Sequence, residues 1–134
     1  MSNKTLIENI MITPDKFTVV TPEVTLITVL ERMSEFKIGH VCVVDSQMKL
    51  VGVFTDGDFR RLILNIQKPL PALLSDDIIK YASTNPKTTF VDIDFSEVKK
   101  QMSENKIWDL PVIDRDQKLV GLIHMSSLLK QDGN

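Results

Sequence analysis

A chain of 134 residues, 43% of them hydrophobic, has enough apolar surface for one compact domain or for two small halves that share a core. Its net charge of -2 argues against a face that binds nucleic acid, because affinity for polyanions comes from basic side chains. No apolar run approaches the roughly 20 residues that cross a bilayer, and the start of the chain lacks a signal peptide's apolar core. With a single cysteine, Cys42, in an apolar run, the sequence predicts a cytoplasmic protein with a buried thiol and no membrane partner.

The chain contains an internal duplication. Shifting the sequence by 69 positions pairs Leu-Val-Gly at 50–52 with Leu-Val-Gly at 119–121. Residues 10–62 and 79–131 align without a gap and share 13 identities in 53 positions, whereas chance gives about 3 or 4. Such self-similarity predicts two copies of one supersecondary unit. The predicted boundaries are 5–66 for the first repeat, 67–75 for a linker and 76–132 for the second repeat.

Hydrophobic periodicity predicts the same order of elements in both copies, namely helix, short strand, helix, strand, strand and helix. In the first copy these are a short helix over 6–11, a strand near 17–20, a helix over about 25–37, strands over 40–45 and 50–55, and a closing helix that buries Phe59, Leu62, Ile63 and Ile66. In the second copy they include a helix over about 94–106, strands over 109–114 and 119–124, and a closing helix marked by Leu128 and Leu129. The sequence therefore predicts an α/β (α+β) fold of two pseudo-symmetric units, each a three-stranded sheet with flanking helices, packed face to face.

The linker contains two prolines, Pro69 and Pro71. Because proline lacks a backbone N–H and fixes its own φ angle, both are expected to interrupt regular structure between the copies. The segment 72–82 is expected to resume as a short helix that matches 6–11 in the first copy.

The segment Thr55 to Arg61 is the most informative for chemistry, because a buried strand ends there in polar residues as a helix starts. Thr55 can donate a hydrogen bond to a phosphate oxygen near the helix N-terminus, and the Asp58 carboxylate can accept from both hydroxyls of a ribose. Arg60 and Arg61 add positive charge, or simply point to solvent. The alternative is ordinary helix capping, with Thr55 or Asp56 as the cap and Asp58 complementing the helix dipole.

The second copy departs from this pattern. His124 stands in the place of Thr55, and Ser127 in the place of Asp58. Without the carboxylate, the acceptor for a ribose is lost, so the second site is expected to be empty, weakened or selective for something other than a ribonucleotide.

No metal site is expected. His40 and His124 lie at non-equivalent positions of the two copies, and no Cys/His cluster at ligand spacing accompanies them. Trp108 replaces Gly39 ahead of a strand of the second copy, where it is either an aromatic wall for a ligand or an ordinary packing residue.

Several of these strings together resemble a known family. Two copies of a helix followed by Val-Val-Asp or Val-Ile-Asp and by Leu-Val-Gly, with Thr-x-x-Asp in the first copy, look like a tandem pair of CBS domains, also called a Bateman module. The string Thr-Asp-Gly-Asp-Phe-Arg-Arg at 55–61 and the ending Leu-Val-Gly-Leu-Ile-His-Met at 119–125 resemble the C-terminal regulatory part of arabinose-5-phosphate isomerases. The likeness covers nearly the whole chain.

The resemblance implies a nucleotide-type ligand in a cleft between the sheets, with Thr55 at its phosphate and Asp58 at its ribose. Ordinary core packing is the alternative for the apolar members of the site. The other residues implied for this site are Phe17, Thr18, Val19, Val20, His40, Val41, Arg60 and Arg61. A weaker second site would involve Thr88, Asp109, Leu110, His124 and Ser127.

The resemblance also implies a function in regulation, with no obligatory cofactor. The expected ligand is AMP, ADP, ATP or the activated sugar CMP-Kdo, and the expected partners are a catalytic sugar-isomerase domain, in cis or in trans, and a second copy bound through the CBS helices. This would place the protein in lipopolysaccharide or capsule biosynthesis. The alternative is a scaffold that dimerises its parent protein without binding a ligand. Isomerase catalysis is not expected, because the Ser/Gly-rich catalytic domain of that family is absent from a chain with five glycines.

Overall fold

The computed structural model describes the backbone of residues 6–132 and the side chains of residues 6–128. The first repeat forms β1 (Thr18–Val20), α1 (Leu26–Phe36), β2 (His40–Val44), β3 (Leu50–Thr55) and α2 (Asp56–Asn65), followed by the short α3 (Leu70–Leu74). The second repeat forms β4 (Thr89–Phe90), α4 (Phe95–Asn105), β5 (Asp109–Ile113), β6 (Leu119–His124) and α5 (Met125–Asp132). The predicted order of elements is confirmed. Within the described residues, no helix is both long and apolar enough to span a membrane.

Equivalent residues end the two amphipathic helices α1 and α4. Lys37 and Lys106 follow the last helical turns with φ angles of 58° and 54°, in the left-handed region. The N–H of each donates back to a carbonyl of the preceding turn, which satisfies a group that the helix end leaves open. The chain then turns directly into β2 or β5, so the helix and the strand pack on each other.

Each repeat builds its own three-stranded sheet. The orders are β1-β2-β3 and β4-β5-β6, with the first two strands of each sheet parallel and the last two antiparallel. Thr18 pairs with Val41, and His40 pairs with Thr55. The starts of β1 and β2 and the end of β3 therefore meet at one edge of the sheet, which brings Thr18, His40 and Thr55 to the same edge.

The compact units of the fold do not coincide with the sequence repeats. One unit comprises residues 15–86, and the other combines the start of the chain, up to Pro14, with residues from Lys87 onward. Ile12 forms a bridge with Leu122 in the second sheet, and Ser83 forms the corresponding bridge with Val53 in the first. In each repeat, the segment before the first strand thus forms a bridge with the sheet of the other repeat.

These bridges correct the ungapped alignment of the repeats. Leu122 and Val53 differ by 69 positions, but their partners Ile12 and Ser83 differ by 71. The offset of 69 holds from β1 onward, where Val20 and its counterpart Thr89 pair with equivalent strand residues. A difference of two residues therefore lies in the loop before the first strand.

Each unit has its own hydrophobic core under the helix-facing side of its sheet. The core of residues 15–86 consists of Val20, Leu26, Val29, Met33, Val41, Val43, Phe54, Leu73 and Ile78. The core of the other unit consists of Ile7, Val98, Met102, Leu110, Val112, Ile123 and Leu128. Cys42, the single cysteine of the sequence, is buried, as predicted.

Helix α2 buries less than its periodicity predicts. Phe59, Leu62 and Ile66 are only half-buried, Ile63 is 45% exposed and Leu64 is 76% exposed. The prediction that this face is buried is wrong for Ile63, because the sheet of the unit already packs against α1 and the linker. In the second repeat, Leu128 is buried, and Leu129 lies outside the described side chains.

The linker also differs from the prediction. Pro71 lies in the first turn of α3, where a missing N–H costs nothing, so the prolines start a helix instead of interrupting one. The predicted single helix over 72–82 is wrong, since α3 ends at Leu74 and a separate 3₁₀ turn covers Ile78–Lys80. A matching 3₁₀ turn covers Ile7–Asn9 near the start of the chain.

Asp76 ties this linker to the first unit. Its carboxylate accepts hydrogen bonds from Lys68 Nζ at 2.5 Å and from the Tyr81 hydroxyl, and Lys80 Nζ lies 3.6 Å away. Its backbone carbonyl accepts from the N–H of Leu26, at the start of α1, at 2.9 Å. The hydrogen bonds from Lys68 and Tyr81 lower the pKa of Asp76 to about 2.

This lowered pKa predicts a loss of stability in acid that depends on Asp76. A carboxyl whose pKa is lower in the folded state stabilises the fold above its ordinary pKa of 3.8, and that contribution disappears as the pH falls toward 2. We expect the melting temperature of the native chain to fall between pH 5 and pH 2 more steeply than that of Asp76→Asn. Thermal unfolding by circular dichroism measures both slopes. Equal slopes would show that the Asp76 contacts contribute no acid sensitivity.

Candidate functional site

Thr55 and Asp58 form a reciprocal cap at the start of α2. The Asp58 N–H donates to Thr55 Oγ1 at 3.1 Å, and the Thr55 N–H donates to Asp58 Oδ2 at 2.9 Å. The capping alternative is therefore what the structure shows for these side chains. Capping still leaves capacity for a ligand, because the Thr55 hydroxyl keeps its proton and each Asp58 oxygen has a second lone pair.

The two arginines differ in their contacts. Arg61 Nη2 donates to Asp58 Oδ1 at 2.7 Å, which fixes the carboxylate from the side opposite to Thr55. Arg60 is exposed. The site thus presents a hydroxyl, a carboxylate and a guanidinium within one helical turn, held in place before any ligand arrives.

The predicted strand residues of this site lie inside the protein. Phe17, Thr18, Val20, His40 and Val41 are each at most 6% exposed. Only Val19 of the predicted set in these strands is half-buried. These side chains pack in the interior, as the alternative of ordinary core packing predicted. Their contact with a ligand stays a prediction.

Thr18 has an unusual environment among these residues. Its side chain is fully buried, and within the described part of the chain its Oγ1 has no hydrogen-bond partner. A buried hydroxyl without a partner costs free energy, so a polar group of a ligand or a water molecule at this edge of the sheet would be stabilising. Thr18 pairs with Val41, one position from the His40–Thr55 pair, so this hydroxyl lies at the same sheet edge as the α2 cap.

The second repeat places a different pair at the equivalent position. His124 Nδ1 lies 2.5 Å from Asp109 Oδ1, across the β5-β6 pair that matches His40 and Thr55 in the first sheet. Ser127 is half-buried, with no carboxylate to replace Asp58.

The remaining residues predicted for the second site are already engaged within the unit. Leu110 is fully buried, and the Thr88 carbonyl accepts from Gln101 Nε2 at 3.2 Å. Thr88 instead borders a groove of about 470 Å³ beside α4.

A groove of about 440 Å³ lies on the helix side of the first unit. It is lined by Leu30, Met33, Ser34, Lys37, Ile38, Gly39, Asp56 and Phe59. The Asp56 carboxylate lies directly over Gly39, since a Cβ at position 39 would be 2.1 Å from Asp56 Oδ2, so any larger residue would displace this side chain. In the second repeat this glycine is Trp108, whose side chain is 69% exposed.

Over residues 6–128, no three His, Cys, Asp or Glu side chains are grouped so that they could hold a metal ion. His40 is buried in the first sheet and His124 is paired with Asp109. Sequence reasoning missed the Asp109–His124 pair and the buried Thr18 hydroxyl. The repeat alignment could have indicated the pair, because it places Asp109 opposite His124 once the strands are antiparallel.

Comparison with known proteins identifies both repeats. The family model for the CBS domain matches residues 7–65 and 75–133. The arabinose 5-phosphate isomerase KdsD of Pseudomonas aeruginosa is 35% identical over 101 residues, which are 75% of this chain and 30% of that protein. An uncharacterised protein of Chlamydia pneumoniae is 36% identical over 104 residues, 75% of this chain and 31% of its own length. The chain spans about a third of the length of these curated relatives.

Solved structures share the whole architecture. The protein CBSX2, crystallised in complex with AMP, matches with a TM-score of 0.82 at 24% identity, and the match covers 95% of both chains. The CBS domain pair of MJ0100, crystallised with 5'-methylthioadenosine and S-adenosyl-L-methionine, matches with a TM-score of 0.80 at 22% identity and covers 97% of both chains. At these identities the likeness shows the fold.

Proposed function

The chain belongs to the CBS domain family, and we propose that it is a regulatory module whose first repeat binds a nucleotide. The observation that carries the proposal is the preformed Thr55–Asp58 cap at the start of α2. The Thr55 hydroxyl donates to the phosphate, the positive end of the α2 dipole adds partial positive charge, and Asp58 accepts from the ribose hydroxyls. The buried Thr18 hydroxyl gains a polar partner in the bound state.

Adenine nucleotides are the first candidates. Two CBS proteins of the same fold were crystallised with AMP or with adenosine-containing molecules, which supports this ligand class for the present chain. Because the second repeat lacks the Asp58 carboxylate, we propose one nucleotide of this kind per chain.

CMP-Kdo is the second candidate. The similarity to an arabinose 5-phosphate isomerase supports a role in which this module regulates a sugar-isomerase domain, in cis or in trans, in lipopolysaccharide or capsule biosynthesis. An activated sugar formed downstream of the isomerase product would then act as a feedback signal. Regulation requires only that the ligand binds two arrangements of the parent protein with different affinities.

A thermal-shift screen tests the proposal. The purified chain is heated with AMP, ADP, ATP, CMP, CMP-Kdo and S-adenosylmethionine in turn. A ligand present at 100 times its dissociation constant adds about 2.7 kcal/mol of stability, a shift of several degrees for a domain of this size. Calorimetric titration of AMP against CMP-Kdo then separates the two candidates. If no compound raises the melting temperature, the module is a dimerising scaffold and Thr55 and Asp58 are helix caps.

We also propose a homodimer formed through the CBS helices. Leu64 and Leu70 are 76% and 50% exposed on α2 and α3, and Ile27 is 42% exposed on α1. Ile27 is replaced by Ser96 in the second repeat. At this position the exposed apolar side chain belongs to the first repeat only, and exposed apolar side chains of this kind can contribute to an interaction site.

A further inference from the structure

The two repeats differ in a complementary way at one pair of equivalent positions. In the first repeat, the Gly39 carbonyl accepts from the Asp56 N–H at 3.1 Å, and in the second the Trp108 carbonyl accepts from the Met125 N–H at 2.8 Å. This backbone hydrogen bond is therefore present in both copies. The first copy has no side chain at this position and has a groove there, whereas the second copy has a large aromatic side chain that is 69% exposed.

The groove has the chemistry of an indole receptor. Leu30, Met33, Ile38 and Phe59 give it an apolar lining, and the Asp56 carboxylate, which lies over Gly39, also lines it as an acceptor for an N–H donor. Lys37 contributes a cation to the lining, and a cation is attracted to the face of an aromatic ring. At about 440 Å³, the groove has ample room for one indole ring.

The second repeat cannot form this receptor. Its residue equivalent to Leu30 is Lys99, and its residue equivalent to Asp56 is Met125. The apolar wall and the acceptor are both lost in the copy that carries the tryptophan. Each chain therefore carries both the Gly39 groove and an exposed indole that has no such groove in its own repeat, and self-association can bring the two together.

We propose that Trp108 of one copy of this chain inserts into the Gly39 groove of a second copy, and that a two-fold dimer makes this contact twice. The proposal rests on the homodimer proposed above and specifies its arrangement, in which the second repeat of each chain meets the first repeat of the other. The indole N–H donates to the Asp56 carboxylate, and the ring covers the apolar floor of the groove. Tryptophan residues buried in this way dominate the affinity of many interfaces.

Trp108 is the only tryptophan of the chain, so its fluorescence reports on this contact alone. We expect the emission of the native chain to shift to shorter wavelength as the concentration rises, in step with dimer formation followed by analytical ultracentrifugation. Trp108→Gly, which copies the residue of the first repeat, should weaken the dimer by more than about thirtyfold. Since Trp108 is exposed within the chain, this variant should fold normally, and circular dichroism checks that it does.

A second variant tests the same contact by changing the groove instead of the tryptophan. Ser34 is exposed on α1 and lines the groove, so Ser34→Arg should fill it without touching a core residue. Each variant alone should be monomeric. A mixture of the two should form heterodimers, because Trp108 of the Ser34→Arg chain can still enter the open groove of the Trp108→Gly chain.

The proposal is overturned if Trp108→Gly dimerises as tightly as the native chain, or if the native chain is a monomer throughout the dilution series. It is also overturned if the mixture of variants stays monomeric. Neither variant changes Thr55 or Asp58, so both should keep the thermal response to AMP. Loss of dimerisation and loss of nucleotide binding are therefore observed separately.

Discussion

Asp58→Asn should abolish most of the thermal stabilisation by AMP while leaving the unliganded chain folded. The carboxylate accepts from charged and backbone donors in the cap, and in the bound state it would also accept from two ribose hydroxyls. Hydrogen bonds to a charged group contribute about 1.5–3 kcal/mol each, so binding should weaken tenfold to more than a hundredfold. Asparagine keeps an oxygen for the Thr55 N–H, and the exposed Arg61 ion pair contributes about 0–1 kcal/mol, so the unliganded melting temperature should change little.

Asp94→Asn is the matched control for this experiment. Asp94 caps α4 in the other unit by accepting from the Ser96 N–H at 3.3 Å, so it undergoes the same chemical change at a helix start outside the site. Asparagine is also a good N-cap, and the response of this variant to AMP should equal that of the native chain. An unchanged thermal response of Asp58→Asn to AMP would show that the Asp58 carboxylate does not contribute to binding.

Phe54→Ala should have the largest effect on stability. Phe54 is fully buried at the centre of the core of residues 15–86, on the strand that leads into Thr55. Removing a buried phenylalanine ring costs about 3–5 kcal/mol through lost hydrophobic burial and the cavity that remains. Because the whole stability of a small domain is about 5–15 kcal/mol, the variant should be close to unfolding at room temperature. Urea titration followed by circular dichroism measures the loss.

The comparison for this prediction is Leu64→Ala. Leu64 belongs to the same unit but is 76% exposed, so its truncation should change the free energy of unfolding by no more than about 0.5 kcal/mol. The titration uses dilute protein, so that the proposed dimer does not contribute. Similar losses for the two variants would contradict the assigned core.

Local periodicity was sufficient to predict most of the secondary structure. Leu26, Leu30 and Met33 repeat at helical spacing in α1, and the β-branched run from His40 to Val44 is a strand that is buried along its whole length. Because the sequence contains the unit twice, each element could be predicted in both copies. A weak hydrophobic pattern in one copy was then supported by the pattern in the other. The resemblance of these motifs to tandem CBS domains then predicted the fold of the whole chain.

Features that depend on distant parts of the chain were not predictable in this way. The bridge of Ile12 to Leu122 involves residues from opposite ends of the sequence, and no local pattern distinguishes it from pairing within one repeat. The exposed Ile63 has the same spacing as a buried residue, since periodicity gives the face of a helix but not what covers it. At the site, helix capping was already the alternative interpretation for Thr55 and Asp58, but their two reciprocal hydrogen bonds became evident only from distances.

The exchange of segments between the repeats also has a consequence for synthesis on the ribosome. Residues 15–86 form a contiguous unit and can fold as soon as they emerge, because all their sheet partners precede Lys87. Ile7 and Ile12 emerge earlier still, but their partners in the second unit, β6 among them, are translated only after the whole of residues 15–86. The nascent chain must therefore keep this apolar turn unsatisfied until β6 has been translated, which makes the turn a natural point of contact for a chaperone.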